Sequence, residues 1–252
     1  MHPTALLRTT CVLPLLMLSA AALAAEDEWQ HTLTAYFVAA AIDGQAGVHG
    51  LTADVDVPFH DILDNLDGGL MLAYRGERGR YAVMSDLIFL GQKQEAEGLG
   101  YFGRTKATAE GDQLIFELDG AYLLTDQLSV YAGLRYWDLD VDVDIYGGGP
   151  LGETLSASGD ENWVDPLVGL RYVWNFANRW SLVAKGDVGG FGIGSDLAWQ
   201  ATAFANWQWT DHANLMFGYR YIDVDYDEDE ANGRFLWDVS QSGPAAGFAW
   251  KF

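Results

Sequence analysis

From Trp29 to the C-terminus, apolar and polar side chains alternate with a period of two, the spacing of a pleated strand and not of a helix. In Leu128-Ser129-Val130-Tyr131-Ala132-Gly133-Leu134-Arg135-Tyr136 the even positions are apolar or aromatic, and the odd ones are mostly small, polar or charged. The scheme returns in Leu114-Ile115-Phe116-Glu117-Leu118-Asp119 and in Val164-Asp165-Pro166-Leu167-Val168-Gly169-Leu170-Arg171-Tyr172. A soluble sandwich alternates too, with one face in a core and the other in water. Here the apolar face is broad and edged by aromatics, whereas the opposite face carries glycine and charges of both signs. Those two faces fit lipid on one side and a polar lumen on the other. The pattern therefore predicts an all-β chain folded as a closed antiparallel transmembrane β-barrel.

Barrels of this kind have tight turns at one end and longer loops at the other. Four short links meet that description: Gly76-Glu77-Arg78-Gly79, Thr125-Asp126-Gln127, Asn175 to Arg179, and Thr210-Asp211-His212. Between them lie longer acidic segments at 42–66, 92–109, 141–162 and 227–234, and a shorter glycine-rich link at 190–195. The runs between links predict about ten strands, at 29–41, 67–76, 80–91, 110–124, 128–140, 163–175, 180–189, 196–209, 213–226 and 235–252. Ten is even, so both termini fall at the end with the short turns; eight is the alternative if two weak strands fail to form. One short helix is expected in the first outer loop. Asp56 can cap it, Pro58 falls near its first position, and Phe59, Ile62, Leu63 and Leu66 form a helical stripe.

The N-terminus reads as a signal peptide over residues 1–24: Arg8, an apolar run from Val12 to Leu18, and Ala22-Leu23-Ala24 as a cleavage site. The apolar stretch from Cys11 to Ala25 is 15 residues, short of the ~20 a transmembrane helix needs. Residues 25–252 then form a single barrel domain without cysteine, which removes disulfides and thiol chemistry. The formal charge of −22 argues against nucleic acid as a partner. Export and strand pattern together predict the outer membrane of a Gram-negative cell.

The chain ends on Gly247-Phe248-Ala249-Trp250-Lys251-Phe252, which resembles the closing strand of a bacterial outer-membrane barrel. In such barrels a terminal aromatic marks the chain for insertion, so the resemblance implies that Phe248, Trp250 and Phe252 engage the barrel-assembly machinery. The stretches DVDVPFHDILDNLDGG, ENWVDPLVGLRY, GDVGGFGIGSDLAWQ, GYRYIDVDYD and SGPAAGFAWKF resemble a group of small proteobacterial outer-membrane β-barrel proteins, loosely related to OmpA/OmpW-type barrels. The likeness runs over almost the whole chain after the leader. It implies fold and location and no catalytic activity.

Three constellations carry candidate chemistry. By parity, Arg75, Arg135, Arg171, Lys185 and Arg220 share the inner face with Asp86, Glu117, Asp119, Asp165 and Asp187. In a narrow barrel such charges satisfy one another, and a structural network is favoured over an ion-lined pore. On the outer face, Asp138, Asp140, Asp142 and Asp144, and then Asp223, Asp225 and Asp227, form rows of carboxylates above the lipid band. Their hard oxygens suit weak Ca²⁺ or Mg²⁺ binding beside lipopolysaccharide, with solvated charge as the ordinary alternative and no EF-hand spacing present. Tryptophans divide into a lower belt (Trp29, Trp174, Trp180, Trp207, Trp209, Trp250) and an upper one (Trp137, Trp163, Trp199, Trp237). Neither Asp211-His212, Ser195-Asp196, His49 nor His60 has the spacing of a catalytic or zinc motif. No enzyme and no cofactor is expected. The role expected is structural or that of a narrow pore, with a surface-interaction role through the acidic loops as the alternative.

Overall fold

The computed structural model describes residues 28–48, 51–64, 66–99, 105–146, 155–230 and 233–252; the expected signal peptide and His49 lie outside them. The elements in chain order are β1 (Gln30–Val38), β2 (Ala41–Val48), β3 (Leu51–Val57), α1 (Phe59–Asp64), β4 (Leu66–Arg78), β5 (Tyr81–Leu99) and β6 (Thr105–Leu123). They continue with β7 (Leu128–Tyr146), β8 (Leu155–Ala177), β9 (Trp180–Gly190), β10 (Leu197–Gln208), β11 (Ala213–Glu230) and β12 (Gly233–Lys251). Ten of them, β1 and β4 to β12, pair antiparallel in sequence order, and β12 closes on β1. All ten expected barrel strands are present, so the eight-stranded alternative falls.

Closure is built from the last residues. Leu33 pairs with Trp250, and the backbones of His31 and Phe252 exchange hydrogen bonds of 3.1 and 3.0 Å. The Phe252 ring stacks on His31 at 5.5 Å, and His31 Nδ1 hydrogen-bonds the Tyr74 hydroxyl on β4 at 2.8 Å. The aromatic end thus joins the first, second and last walls of the barrel.

The outward face meets the apolar requirement. Leu33, Phe116, Leu134, Val168, Leu170 and Phe217 are all exposed, which in water would be an aggregation surface and in lipid is the expected one. Exposed Trp29, Trp174, Trp180, Trp209 and Trp250 ring the short-turn end, where their amphipathic indoles suit an interface.

Among the described residues the acidic segments are mostly strand. A strand crosses a bilayer in about 9–11 residues, which β9 and β10 just satisfy with 11 and 12. By contrast β5, β6 and β7 have 19 each and β8 has 23. The surplus adds roughly 25 Å of strand at ~3.3 Å per residue, which at a tilt near 45° raises this wall by about 20 Å. Charge at alternate positions is compatible with pairing once the strand stands in water, so acidity did not mark the end of the ladder. The first outer segment likewise folds into a hairpin. β2 adds to β12 beside Leu236–Ser242, and β3 pairs with β2. Consequently β4 pairs with β1 only from Leu72 to Glu77, and its upper edge has β5 alone.

Helix α1 forms where expected but is shorter, since Leu66 already belongs to β4. Phe59 packs on Phe37 at 6.5 Å, and Phe37 is on the outward face of β1. The helix therefore starts against the outside of the wall and not across the barrel mouth.

Candidate functional site in the barrel lumen

The lumen is stacked in three layers. At the short-turn end is a cavity of about 1040 Å³, lined by polar side chains such as Thr32, Thr34, Gln127, Ser129 and Asn206. Above it lies a layer of charge. The upper half is filled by packed apolar and aromatic side chains.

In the charge layer Arg135, fully buried, is central. Its Nε and Nη2 donate to Glu117 Oε2 at 2.9 and 2.5 Å, and Nη2 also donates to Asp187 Oδ1 at 2.7 Å. Gln200 Nε2 bridges the same two carboxylates at 2.9 and 2.7 Å, and the Tyr131 hydroxyl donates to Asp187 Oδ2 at 2.8 Å. Lys185 joins from β9, donating to Glu117 and, at 3.4 Å, to Asp119. A second knot lies nearby: Arg220 Nη1 donates to Asp86 Oδ2 and to the Tyr36 hydroxyl, both at 2.8 Å, while Tyr36 donates to Asp86 Oδ1 at 2.6 Å. Charges taken out of water remain ionised only with such partners.

Seven of the ten lumen residues expected from parity enter these two knots. The other three behave differently. Arg75 pairs with Glu77 on its own strand, at 2.9 Å from Nε, and places Nη1 at 3.0 Å from the Met84 sulfur. The Arg171 guanidinium has no protein partner among the described residues. Asp165 lies directly opposite Arg135 in the β7–β8 register yet makes no ion pair with it. It accepts instead from Trp137 Nε1 at 2.9 Å, from Ser195 Oγ at 2.5 Å and from the Ser195 backbone N–H at 2.7 Å. Trp163 Nε1 adds a bond to Ser195 Oγ at 2.9 Å.

The upper tryptophan belt is thereby corrected. Trp137 and Trp163 are buried inside the barrel, stacked 5.6 Å apart, with Tyr226 stacked on Trp163 at 4.0 Å. Trp237 packs on the same inner cluster, and of the four only Trp199 is outward, stacked on Tyr221 at 4.6 Å. Trp137 has the parity of Arg135, so the signal for an inward ring was present in the alternation itself.

Sequence reasoning also missed Tyr36, Tyr131 and Gln200, and it weighed Ser195 only for catalysis. Neutral donors on a charged face carry no charge signal, and only the register across strands brings them to the carboxylates. Gly133, Gly169 and Gly218 each stand two residues before a lumen arginine, in three Gly-x-Arg-Tyr stretches. A Cβ at Gly169 would collide with the Tyr131 ring, one at Gly133 with Asp119 and one at Gly218 with Phe204. Each glycine makes room for a neighbour from the adjacent strand beside a lumen arginine.

Asp165 also pins the low side of the barrel. The glycine-rich link between β9 and β10 turns tightly through Gly190, Phe191 and Gly192, all with positive φ, and Ser195 ties it to β8. Ser195 and Asp165 are fully buried, and the described histidines lie elsewhere: His31 and His212 at the short-turn end and His60 on α1. No histidine among the described residues faces the serine hydroxyl, which donates to Asp165.

Outside, the acidic residues form rows across strands. Asp140 is directly between Asp112 and Asp160, and Asp225 pairs with Asp238, which leads through Gln45 to Asp54. Asp142 is opposite Glu110 and Ser158, whereas Asp138 is opposite Leu114 and Asn162 and Asp223 opposite Trp199 and Ser240; Asp227 is paired with Arg234 at 2.6 Å. Desolvation and the charges of Asp142, Asp160 and Asp112 raise the Asp140 carboxyl above its ordinary value; desolvation, Asp238 and Asp196 do the same at Asp225. Among the described residues no three such side chains converge into a metal-ligating group. The side chain of Asp144 lies outside the described residues.

No protein-family model matches this sequence, and no curated protein matches it. Among solved structures, the outer membrane protease OmpT from Escherichia coli is similar at 9% identity and a TM-score of 0.49, over 90% of this chain and 97% of that one. The translocator domain of autotransporter NalP from Neisseria meningitidis is similar at 12% identity and a TM-score of 0.46, over 94% and 96%. Ail, the attachment invasion locus protein of Yersinia pestis, follows at 12% identity and a TM-score of 0.38, over 90% and 99%. The architecture is that of a closed ten-stranded antiparallel β-barrel. At these identities no activity passes from one protein to another.

Proposed function

We propose that this protein is a sealed, non-enzymatic barrel of the outer membrane, with its short turns in the periplasm and its long strands outside the cell. One observation carries the reading: the cross-section is filled, with Arg135 and Trp137 both at 0% exposure in successive layers. An ion would have to displace a hydrogen-bonded charge knot and then a packed apolar layer. The expected result in planar bilayers is that purified protein gives no stable conductance steps. Reproducible ion-selective steps from the wild-type chain would overturn the reading. The terminal Phe252, outward and 65% exposed, is available to the assembly machinery as an insertion mark.

A second reading rests on the carboxylate rows. Like charges directly opposite one another destabilise a sheet unless something screens them. Divalent ions between Asp140, Asp160 or Asp225 and the phosphates of lipopolysaccharide would do so without a dedicated chelating site. Millimolar Ca²⁺ should then raise the unfolding temperature in lipopolysaccharide-containing bilayers, and Asp140→Asn with Asp225→Asn should reduce the gain. An equal gain in the double variant would exclude these rows as the site.

A further inference from the structure

The cavity at the short-turn end differs in charge from the rest of the molecule. In a chain of formal charge −22, six basic side chains line it against four acidic ones. Three of the six are engaged: Arg75 with Glu77, Arg220 with Asp86, and Lys185 with Glu117 and Asp119. Arg80 and Lys251 are exposed, whereas Arg171 is half-buried. It stands on β8 with Ser129 and Lys185 directly opposite on either side, lines the cavity, and has no hydrogen bond or ion pair from its guanidinium among the described residues. Arg75 lines the same cavity and is held by Glu77, while the Arg171 fork stays unpaired among the described residues.

Above Arg171 the cavity is closed by the charge knot, so anything bound there enters and leaves by the same mouth. Around it the wall offers hydroxyl and amide groups from Thr34, Gln127, Ser129, Thr202, Asn206 and Asn214. A guanidinium fork matches two oxygens of a carboxylate or phosphate, which a point charge such as chloride does not exploit. The volume is that of a small-molecule site.

We propose that this cup binds a small polar solute bearing a phosphate or carboxylate group, held by Arg171 with support from Arg75. The inference rests on the sealed-barrel reading only for the side of access. Conductance tests that reading, and anion binding tests this one, so each can fail alone.

The test uses the full mature chain refolded in detergent micelles, titrated with inorganic phosphate and with glycerol 3-phosphate against sodium chloride at matched ionic strength. Calorimetric titration should show saturable binding of the phosphates and none of chloride, with a parallel rise in unfolding temperature. Arg171→Gln should abolish binding, and Arg234→Gln, far away on the outer strands, should leave it intact. If Arg171→Gln does not fold, Arg171→Lys serves instead. It keeps the charge without the fork and should weaken binding about tenfold or more. The proposal is overturned if phosphate gives no heat, if chloride matches it, or if the Arg171 variants bind as the wild type does. A response to phosphatidylglycerol in the micelle but not to soluble phosphate would overturn it as well.

Discussion

Replacing Arg135 by methionine should cost the barrel about 3–5 kcal/mol, the loss typical when one partner of a buried ion pair is removed. Glu117 and Asp187 would then share Gln200 and Lys185 while facing each other in the middle layer. Urea unfolding in lipid vesicles reads the change directly. Arg135→Lys should fall between wild type and methionine, because the charge is kept and the two-carboxylate fork is lost. Arg234→Met, which removes an exposed pair with Asp227, should leave the midpoint unchanged. Combining Arg135→Met with Glu117→Leu and Asp187→Leu should recover most of the loss, since a well-packed apolar replacement removes the desolvation cost along with the attraction. A methionine variant within ~1 kcal/mol of wild type would mean that the knot is solvated and the lumen is wet.

Trp137→Ala should be comparably severe, about 3–5 kcal/mol, because it opens a cavity in the apolar layer and takes a donor from Asp165. Trp137→Phe separates the two effects. It keeps most of the packing against Trp163 and loses only the indole N–H, so about 1–3 kcal/mol is expected. Tryptophan emission should shift to the red in the alanine variant as water reaches Trp163. An alanine variant as stable as the phenylalanine one would show that packing in this layer contributes little.

Both expectations concern residues that the sequence placed only in part. Arg135, Glu117 and Asp187 were legible as inward-facing because side-chain direction in a strand repeats every two residues, and parity needs no knowledge of the partner strand. Which carboxylate meets which cation was not legible. Asp165 is one rung across from Arg135, yet it is held by two indoles and a serine. Rung position sets Cα neighbours, whereas a long side chain such as arginine reaches across the lumen to other strands. Length misled in another way. The acidic segment 141–162 reads as a loop in the sequence, yet β7 and β8 continue pairing through Asp142 and Ser158, since a ladder above the lipid tolerates charge on a face wetted by water.

From its sequence alone this chain determined a membrane-spanning barrel, the ten strands, the inward row of charges and the outward aromatic end, because each follows from period-two alternation and the composition of its two faces. Only the tertiary structure decided that Arg135 and its carboxylates meet in one layer of the lumen, that Trp137 and Trp163 lie inside it, and that Arg171 has no partner among the described residues. Closing the sheet brings residues from distant strands within hydrogen-bond distance, and no local pattern encodes that convergence.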